Sequence, residues 1–507
     1  MKRLFILLCP ILILFQACTR GTPQDALVIA IESPVKNLDP RFATDAYSQR
    51  VVELMYSGLV RLNEKSEIVG DLATHWDMPD DKTYVFHLRE GVTFHDGTPL
   101  TVEDIKYTFA SLVDPETGSP YKTAFEKIES VEATDSKTIK LTLHEVNGAF
   151  LIDLTVARII PKHADDLKTQ ALNNHPIGNG PYQFVKKDLN KITLKAFPNH
   201  FWKTPKLGQL IIRTVADDTT RIALLKKKEV DLIQNALPSD ALKQFVDKED
   251  FFIQKVPSLT YKYLGMNLNN KILKNKKVRG ALAYALNTKE IIQYALDGLA
   301  IPATSILSPE SPFYEENTQK YFYDIKKAKQ LLDEAGYPEL SGRSYRFSLT
   351  FKTSTAPEAL SIAKIIANQL KKLNINVEVV SNEWGTFYSD IKNGNFELFS
   401  LQWVGVTEPD IFYNVFHSSM IPPHGANRGY YKNHFIDQLT EQGRKTVDLK
   451  KRKAIYSQIQ KMIAQDLPYI HLWHQTYFAV AQKNVQNLIL WPTGSFIPLV
   501  DCTKVRK

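Results

Sequence analysis

Short strand-like runs and helical patterns alternate along the whole chain, and this interleaving most constrains its fold. The strand-like runs are ALVIAI (26–31), TYVFHL (83–88), TIKLTL (138–143), KITLKAF (191–197) and YRFSLTF (345–351). The helical patterns include RIALLKKKEVDLI (221–233), KKVRGALAYAL (276–286), IKKAKQLLDEAG (325–336) and ALSIAKIIANQLKKL (359–373). Strands and helices that interleave in this way predict mixed α/β domains.

Length and charge limit the class of protein further. A chain of 507 residues exceeds what one hydrophobic core supports, so we expect two or three domains. Its 44% hydrophobic and 23% charged residues are typical of a soluble globular protein. The formal net charge is +8, but the lysines and arginines are scattered and do not form a basic stripe with aromatic residues. The sequence therefore predicts no nucleic-acid partner.

The first eighteen residues form a charged and then apolar leader that predicts export. Lys2 and Arg3 precede twelve apolar residues, 4–15, whereas about twenty are needed to span a bilayer. We therefore predict a secretory signal peptide at 1–17. The leader ends in FQAC, which resembles the lipobox of bacterial lipoproteins and predicts acylation of Cys18.

Cysteine use agrees with an exported lipoprotein. Of the three cysteines, Cys9 lies in the leader and Cys18 would be acylated, which leaves Cys502 without a partner for an internal disulfide. We expect a soluble body, anchored by lipid to a bacterial membrane on its periplasmic or cell-surface side.

The stretch FHDGTPLTVEDI (94–105) carries a histidine and three acids, as a metal or acid–base site would. However, Asp96-Gly97 suits a tight turn, and TVED beginning at Thr101 matches the capping box of a helix that continues through Leu112. The sequence contains no HxxxH, CxxC or GxSxG motif, and GNGP (178–181) lacks the Lys-Ser/Thr pair of a phosphate loop. We predict no metal, no cofactor and no enzymatic activity.

An ordered set of motifs extends over nearly the whole chain beyond the leader. It begins with YSGLV (56–60) and the long stretch from GDLATHW to SLVDP (70–115). It continues with GNGPYQF (178–184), KKKEVDLI (226–233), MNLNNKILKNKKVRGALAYALN (266–287), AKQLLDEAGYP (328–338) and NEWGTFYSDIKNGNFEL (382–398). This set resembles the bacterial extracellular solute-binding proteins of family 5, the oligopeptide- and dipeptide-binding proteins of ABC importers.

The resemblance implies a fold, a domain plan and partners. The fold would be the two-lobed α/β periplasmic-binding-protein fold of type II, with an extra domain, closing around its ligand by a hinge. Domain I would comprise 19–56, 170–260 and 476–507, domain II 57–169, and domain III 261–475. The partners would be a peptide or other small ligand and the permease and ATPase subunits of an importer. The protein would act as a monomer.

Ligand contacts follow from the resemblance position by position. Family peptide binders pair an extended peptide with backbone that follows an LDP motif, and they line the cleft with aromatic side chains. The matching positions are Thr44, Asp45 and Ala46, followed by Tyr121, Trp384 and Trp403. Core packing is the alternative role for the three aromatic residues.

The loop WVGVTEPD (403–410) departs from the family pattern. Val406 stands where peptide binders place the aspartate that meets the ligand amine, and Ile391 and Ser400 stand where arginines meet the ligand carboxylate. A buried ammonium needs a counter-charge. Either a nearby acid replaces the aspartate, or the ligand is not an ordinary free peptide. The candidate contacts in this loop are Gly405, Val406, Glu408 and Asp410.

Two hypotheses for the ligand follow. The first is an oligopeptide, captured by the lipoprotein and delivered to an inner-membrane permease. The alternative is the same fold with a non-peptide or amine-blocked ligand, such as a metal chelate, haem, a glycan, an opine or a cell-wall fragment.

Overall fold

The computed structural model describes residues 25–166, 170–342 and 344–505. The predicted signal peptide and Cys18 lie outside these residues. Within them, no helix combines the length and the apolar composition that crossing a membrane requires.

Nineteen strands and fourteen α-helices make up the described regular structure, together with short 3₁₀ turns. The strands are β1 (Ala26–Ile31), β2 (Val60–Leu62), β3 (Ile68–Gly70), β4 (Ala73–Asp80), β5 (Thr83–Leu88), β6 (Ile128–Asp135), β7 (Thr138–Leu143), β8 (Tyr182–Asp188), β9 (Lys191–Ala196), β10 (Gln209–Thr214), β11 (Leu232–Gln234), β12 (Phe251–Met266), β13 (Ala300–Pro302), β14 (Phe347–Ser354), β15 (Ile375–Asn382), β16 (Leu398–Trp403), β17 (Tyr469–Gln482), β18 (Val485–Gln486) and β19 (Thr503–Lys504). The helices are α1 (Ala46–Met55), α2 (Val102–Val113), α3 (Lys122–Phe125), α4 (Phe150–Asp153), α5 (Ala171–Asn174), α6 (Asp218–Lys226), α7 (Lys276–Ala285), α8 (Thr288–Ala295), α9 (Ile325–Glu334), α10 (Pro357–Lys371), α11 (Trp384–Lys392), α12 (Ile411–Phe416), α13 (His434–Arg444) and α14 (Leu449–Asp466). This confirms the prediction of mixed α/β structure.

One sheet of eleven strands combines segments from along most of the chain. Its strand order is β15-β14-β16-β12-β17-β11-β1-β10-β9-β8, and β13 also pairs with β17. The two longest strands, β12 and β17, pair antiparallel from Phe251 opposite Gln482 to Gly265 opposite Tyr469. The expected boundaries between domains I and III, near 260 and 475, fall inside these strands. Two continuous strands therefore link the parts of the sheet on either side.

The strand β1 shows why this sheet needs cover on both faces. All six of its residues are buried. Leu27, Ile29 and Ile31 pack into one hydrophobic cluster, whereas Val28 and Ala30 pack into another on the opposite face. A strand buried on both sides reads as a continuous apolar run, as ALVIAI does.

The prediction of a helix over 221–233 is only partly correct. The helix α6 ends at Lys226, and Lys228 takes a positive φ of 63°, which breaks the helical path. The apolar residues beyond it form β11, which pairs with β1 on one side and β17 on the other. Leu232 and Ile233 are fully buried there, so sheet pairing and burial override the local helical pattern.

A second sheet of four antiparallel strands, in the order β4-β5-β7-β6, lies within residues 73–143. The stretch 94–105 packs beside it, where Ile105 joins the apolar cluster of this sheet. The backbone N–H of Thr101 donates to Asp104 Oδ2 at 2.9 Å, which completes the predicted capping box of α2. Gly97 takes the positive φ of 88° that the predicted turn requires. Burial lowers the pKa of His95 to about 4, and its ring bonds to the Gly180 carbonyl. The turn and the capping box therefore form as predicted.

Candidate ligand-binding site

A cavity of about 510 Å³ collects residues from distant parts of the chain. Its walls come from the start of α1 and the loop before it, from β2 and the segment 155–158, from the loop 404–407, and from the C-terminal segment 491–497. The charged residues among them are Arg50, Glu53, Arg61, Asp71 and Arg158. Sites for small ligands commonly enclose roughly 300–1,000 Å³ with a few placed polar groups.

The helix α1 carries two of these charges into the cavity. Asp45 caps the helix by accepting from the backbone N–H of Ser48 at 3.0 Å. Arg50 and Glu53, three residues apart, therefore lie on the same side of the helix. Glu53 Oε1 accepts from the Ser495 hydroxyl at 2.7 Å and from the Phe496 N–H at 2.8 Å. Burial raises the pKa of Glu53, and the nearby Arg158 opposes that rise.

A second carboxylate lies beside Arg61. The Arg61 Nε is 4.0 Å from Asp71 Oδ1, and its guanidinium lies over the Trp202 ring, 4.3 Å from the centroid. The Gly58 N–H donates to Asp71 Oδ2 at 3.1 Å. Burial raises the pKa of Asp71, and Arg158 again opposes the rise more than Arg61 does. Arg158 therefore lies close to both acids of the cavity.

The cavity has more positive than negative groups. Arg50 packs its guanidinium over Tyr47 and Phe496, at 5.2 and 5.8 Å from the ring centroids. Neither Arg50 nor Arg158 has a carboxylate oxygen within 4.0 Å among the residues that the structure describes. Three guanidinium groups face two carboxylates, and burial lowers the pKa of the lining His200 to about 4, which keeps it neutral. The formal excess of one positive charge favours an anionic ligand.

Four of the residues predicted as ligand contacts lie at this cavity. They are Thr44, Ala46, Tyr121 and Gly405. The Tyr121 hydroxyl donates to the Ala43 carbonyl at 2.5 Å and accepts from Gln49 at 3.0 Å, so it holds the backbone that precedes α1. Asp45 lies between two lining residues, but its carboxylate caps α1.

Three other predicted contacts do not line the cavity. Trp384 is 55% exposed and stacks on Tyr388. Trp403 packs at the end of β16, with the Arg428 guanidinium 5.2 Å from its ring centroid. Val406 is buried in an apolar cluster, and its N–H donates to the Leu259 carbonyl at 2.9 Å. The role of core packing, which the sequence left open, fits Trp403 better than Trp384.

Glu408 and Asp410, the acids expected to meet the ligand's amine, both have arginine partners within the protein. Glu408 pairs with the buried Arg452, and Asp410 Oδ2 lies 3.2 Å from Arg444 Nε. Neither acid lines the cavity. Both lie near Asp153, whose pKa burial raises to about 7, with a further contribution from their charges. The buried Arg452 and the more exposed Arg444 thus pair with these carboxylates. The acids that line the cavity are Glu53 and Asp71.

Sequence reasoning missed all five charged residues of the cavity. Ile391 and Ser400, which match the positions of family arginines, are buried and carry no positive charge. The cations of the cavity are Arg50, Arg61 and Arg158. The available signal was the presence of charges inside apolar stretches, in RVVELMYSGLVRL (50–62) and LTVARII (154–160). Charged residues within such stretches are rarely buried unless they pair or function.

Three comparisons place the chain among known proteins. The profile described as "Bacterial extracellular solute-binding proteins, family 5 Middle" matches residues 67–420. The glutathione-binding protein GsiB of Shigella boydii is 30% identical, and the match covers 93% of each chain. The structure of NikZ from Campylobacter jejuni in complex with Ni(L-His) is 29% identical, with a TM-score of 0.74, over 95% of this chain and all of that one.

An oligopeptide-binding protein provides a third match. The structure of AppA from Bacillus subtilis, in complex with a nonapeptide, is 28% identical with a TM-score of 0.72, and the match covers 95% of this chain and 99% of that one. These similarities confirm the two-lobed periplasmic-binding-protein fold. The chain belongs to the bacterial extracellular solute-binding proteins of family 5, and it is a substrate-binding protein of an ABC importer for peptides or related ligands.

Proposed function

We propose that the protein captures a short, peptide-like ligand with a net charge of −1 and delivers it, chemically unchanged, to its importer. The observation that carries this proposal is the charge of the cavity, in which three arginines face two carboxylates. A zwitterionic peptide would leave one guanidinium without a counter-charge. A ligand with one additional carboxylate would satisfy it.

The proposal assigns polar groups of the cavity to groups of the ligand. Arg158 and Arg50 meet the ligand carboxylates, and Glu53 or Asp71 meets its ammonium. The backbone at Thr44 and Ala46 pairs with the ligand main chain, next to Tyr121. Glutathione has two carboxylates and one ammonium, hence a net charge of −1. The glutathione-binding relatives make it the first ligand to test.

The experiment is a calorimetric titration with probes of similar size and different charge. We expect glutathione and Ala-Glu-Ala, both at −1, to bind more tightly than neutral Ala-Ala-Ala, and the cationic Ala-Lys-Ala to bind most weakly. Ligand binding should also raise the melting temperature by mass action. Mass spectrometry of the released probe should show no chemical change.

The outcomes separate the alternatives. Equal affinity for the anionic and cationic tripeptides would contradict selection by charge. Tight binding of Ni(L-His), with no binding of any tripeptide, would favour the alternative of a metal chelate, for which the NikZ complex is the precedent. Recovery of hydrolysed probe would contradict a role in binding alone.

We also propose that a lipid on Cys18 anchors the protein to a bacterial membrane. The support is the leader, whose apolar stretch is too short to span a bilayer and ends in Ala17-Cys18. We expect Cys18→Ser to move the protein from the membrane fraction to the soluble fraction. A soluble wild-type protein whose N-terminus lies elsewhere would show that the anchor is absent.

A further inference from the structure

Two histidines and an aspartate converge on the exposed face of the second sheet. One possible ligand atom from each of His75, Asp77 and His87 lies within 4.8 Å of the other two. Among the described residues this is the only group of three or more such side chains. None of the three lines the cavity described above.

Strand register explains why they meet. His75 on β4 is directly opposite His87 on β5, and Asp77 lies two residues after His75. Side chains two apart on a strand share a face, as do directly opposed residues on neighbouring strands. The intervening Trp76 points the other way and contacts the Phe86 ring in the core. The three polar side chains are therefore held on the outer face by the packing of the inner one.

The side chains are already grouped at short distances. The imidazole rings of His75 and His87 stack, with centroids 4.2 Å apart and planes inclined by 10°. His87 Nε2 is 2.9 Å from Asp77 Oδ2. Ligand atoms bound at about 2.0–2.1 Å in a tetrahedral site lie roughly 3.4 Å from one another. Stacked rings cannot both direct a nitrogen lone pair at one ion, so metal binding requires at least one of these side chains to rotate, and His75 and Asp77 are exposed.

A neighbouring hydroxyl lies between His75 and the backbone. The Thr74 hydroxyl is 3.1 Å from the His87 carbonyl, to which it can donate, and 2.9 Å from the His75 Nδ1. When its proton lies on the contact with the carbonyl, it accepts from a protonated His75 Nδ1. A proton on Nδ1 leaves the lone pair of His75 Nε2 free to bind a metal. Outer hydrogen bonds of this kind orient histidine ligands in metal sites.

We propose that His75, Asp77 and His87 form a binding site for a first-row divalent transition metal such as Zn²⁺ or Ni²⁺. Imidazole and carboxylate are ligands that these ions accept, and three protein ligands leave a coordination position for water. The site would bind the free ion and link β4 to β5. It does not depend on the proposed ligand of the cavity. The sequence predicted no metal because H-x-D with a second histidine ten residues later matches no metal motif.

The test is calorimetric titration of ZnCl₂ and of NiCl₂ into protein without a histidine tag and free of chelators. We expect one ion per chain. The variants His75→Ala and His87→Ala should each weaken binding by roughly a hundredfold or more, and Thr74→Val by about tenfold, the usual effect of removing an outer hydrogen bond. His144→Ala, which removes an exposed histidine of the same region, is the matched control and should bind as the wild type does.

Folding of the variants is checked by circular dichroism and by melting without metal, because all four positions are exposed or half-buried. Zn²⁺ should raise the melting temperature of the wild type and of His144→Ala, but not that of the double variant His75→Ala/His87→Ala. Full-affinity binding by that double variant would place the metal elsewhere, and no binding by the wild type at millimolar metal would show that no site exists. Either result would overturn the proposal.

Discussion

Arg158→Gln is expected to weaken binding of the anionic tripeptide by about 30-fold to several thousand-fold. Truncating one partner of a desolvated, hydrogen-bonded charge pair typically costs about 2–5 kcal/mol, which corresponds to that range. Arg158 is suited to this role because no described carboxylate oxygen lies within 4.0 Å of its guanidinium. The measurement is a calorimetric titration of variant and wild type with Ala-Glu-Ala.

Two controls make this result specific. Arg213→Gln removes an arginine that lies outside the cavity and is 3.7 Å from Glu229. This variant should bind Ala-Glu-Ala with the affinity of the wild type. Affinity for Ala-Ala-Ala should fall less than affinity for Ala-Glu-Ala, because the neutral probe carries one carboxylate fewer. An equal loss for both probes, together with a lower melting temperature of the ligand-free variant, would mean that Arg158 only supports the fold through Glu53 and Asp71.

Arg452→Met is expected to lower the free energy of unfolding by about 3–5 kcal/mol. The Arg452 side chain is 2% exposed, pairs with Glu408 and donates its Nε–H to the Gly443 carbonyl at 3.1 Å. Burial already raises the pKa of Glu408, and Arg452 is the main opposing influence. Removing the arginine therefore leaves the Glu408 carboxylate, whose side chain is only 20% exposed, without its counter-charge, which is strongly destabilising. Urea unfolding, followed by circular dichroism, measures the change.

The double variant Glu408→Gln/Arg452→Met separates the lost charge from lost packing. Because neither charge is then buried alone, it should recover most of the lost stability. Lys461→Met on the same helix is the matched control. Lys461 is 44% exposed and lies 3.3 Å from Glu315, so its loss should change the free energy of unfolding by about 1 kcal/mol or less. A double variant no more stable than Arg452→Met would show that packing dominates.

Local features of the sequence determined much of the secondary structure. The strands β1, β5 and β7 coincide with the predicted runs 26–31, 83–88 and 138–143. The capping box at Thr101 and the turn at Gly97 also formed as predicted. These features depend on side-chain periodicity, on caps and on backbone angles, all of which act over a few residues.

The composition of the site was decided by tertiary structure alone. Residues near positions 50, 61, 71 and 158, together with the loop 404–407, meet in one cavity although up to several hundred residues separate them. The same long-range packing directed Glu408 to Arg452 and converted the end of the predicted helix 221–233 into β11.

The sequence by itself thus determined the family, the α/β class and the start of most of the elements that it predicted, because periodicity and short-range hydrogen bonding depend on residues close together in the chain. Tertiary packing alone decided which charges line the cavity and which pair elsewhere in the protein. The energy of a buried charge depends on every group around it, and those groups come from distant parts of the chain.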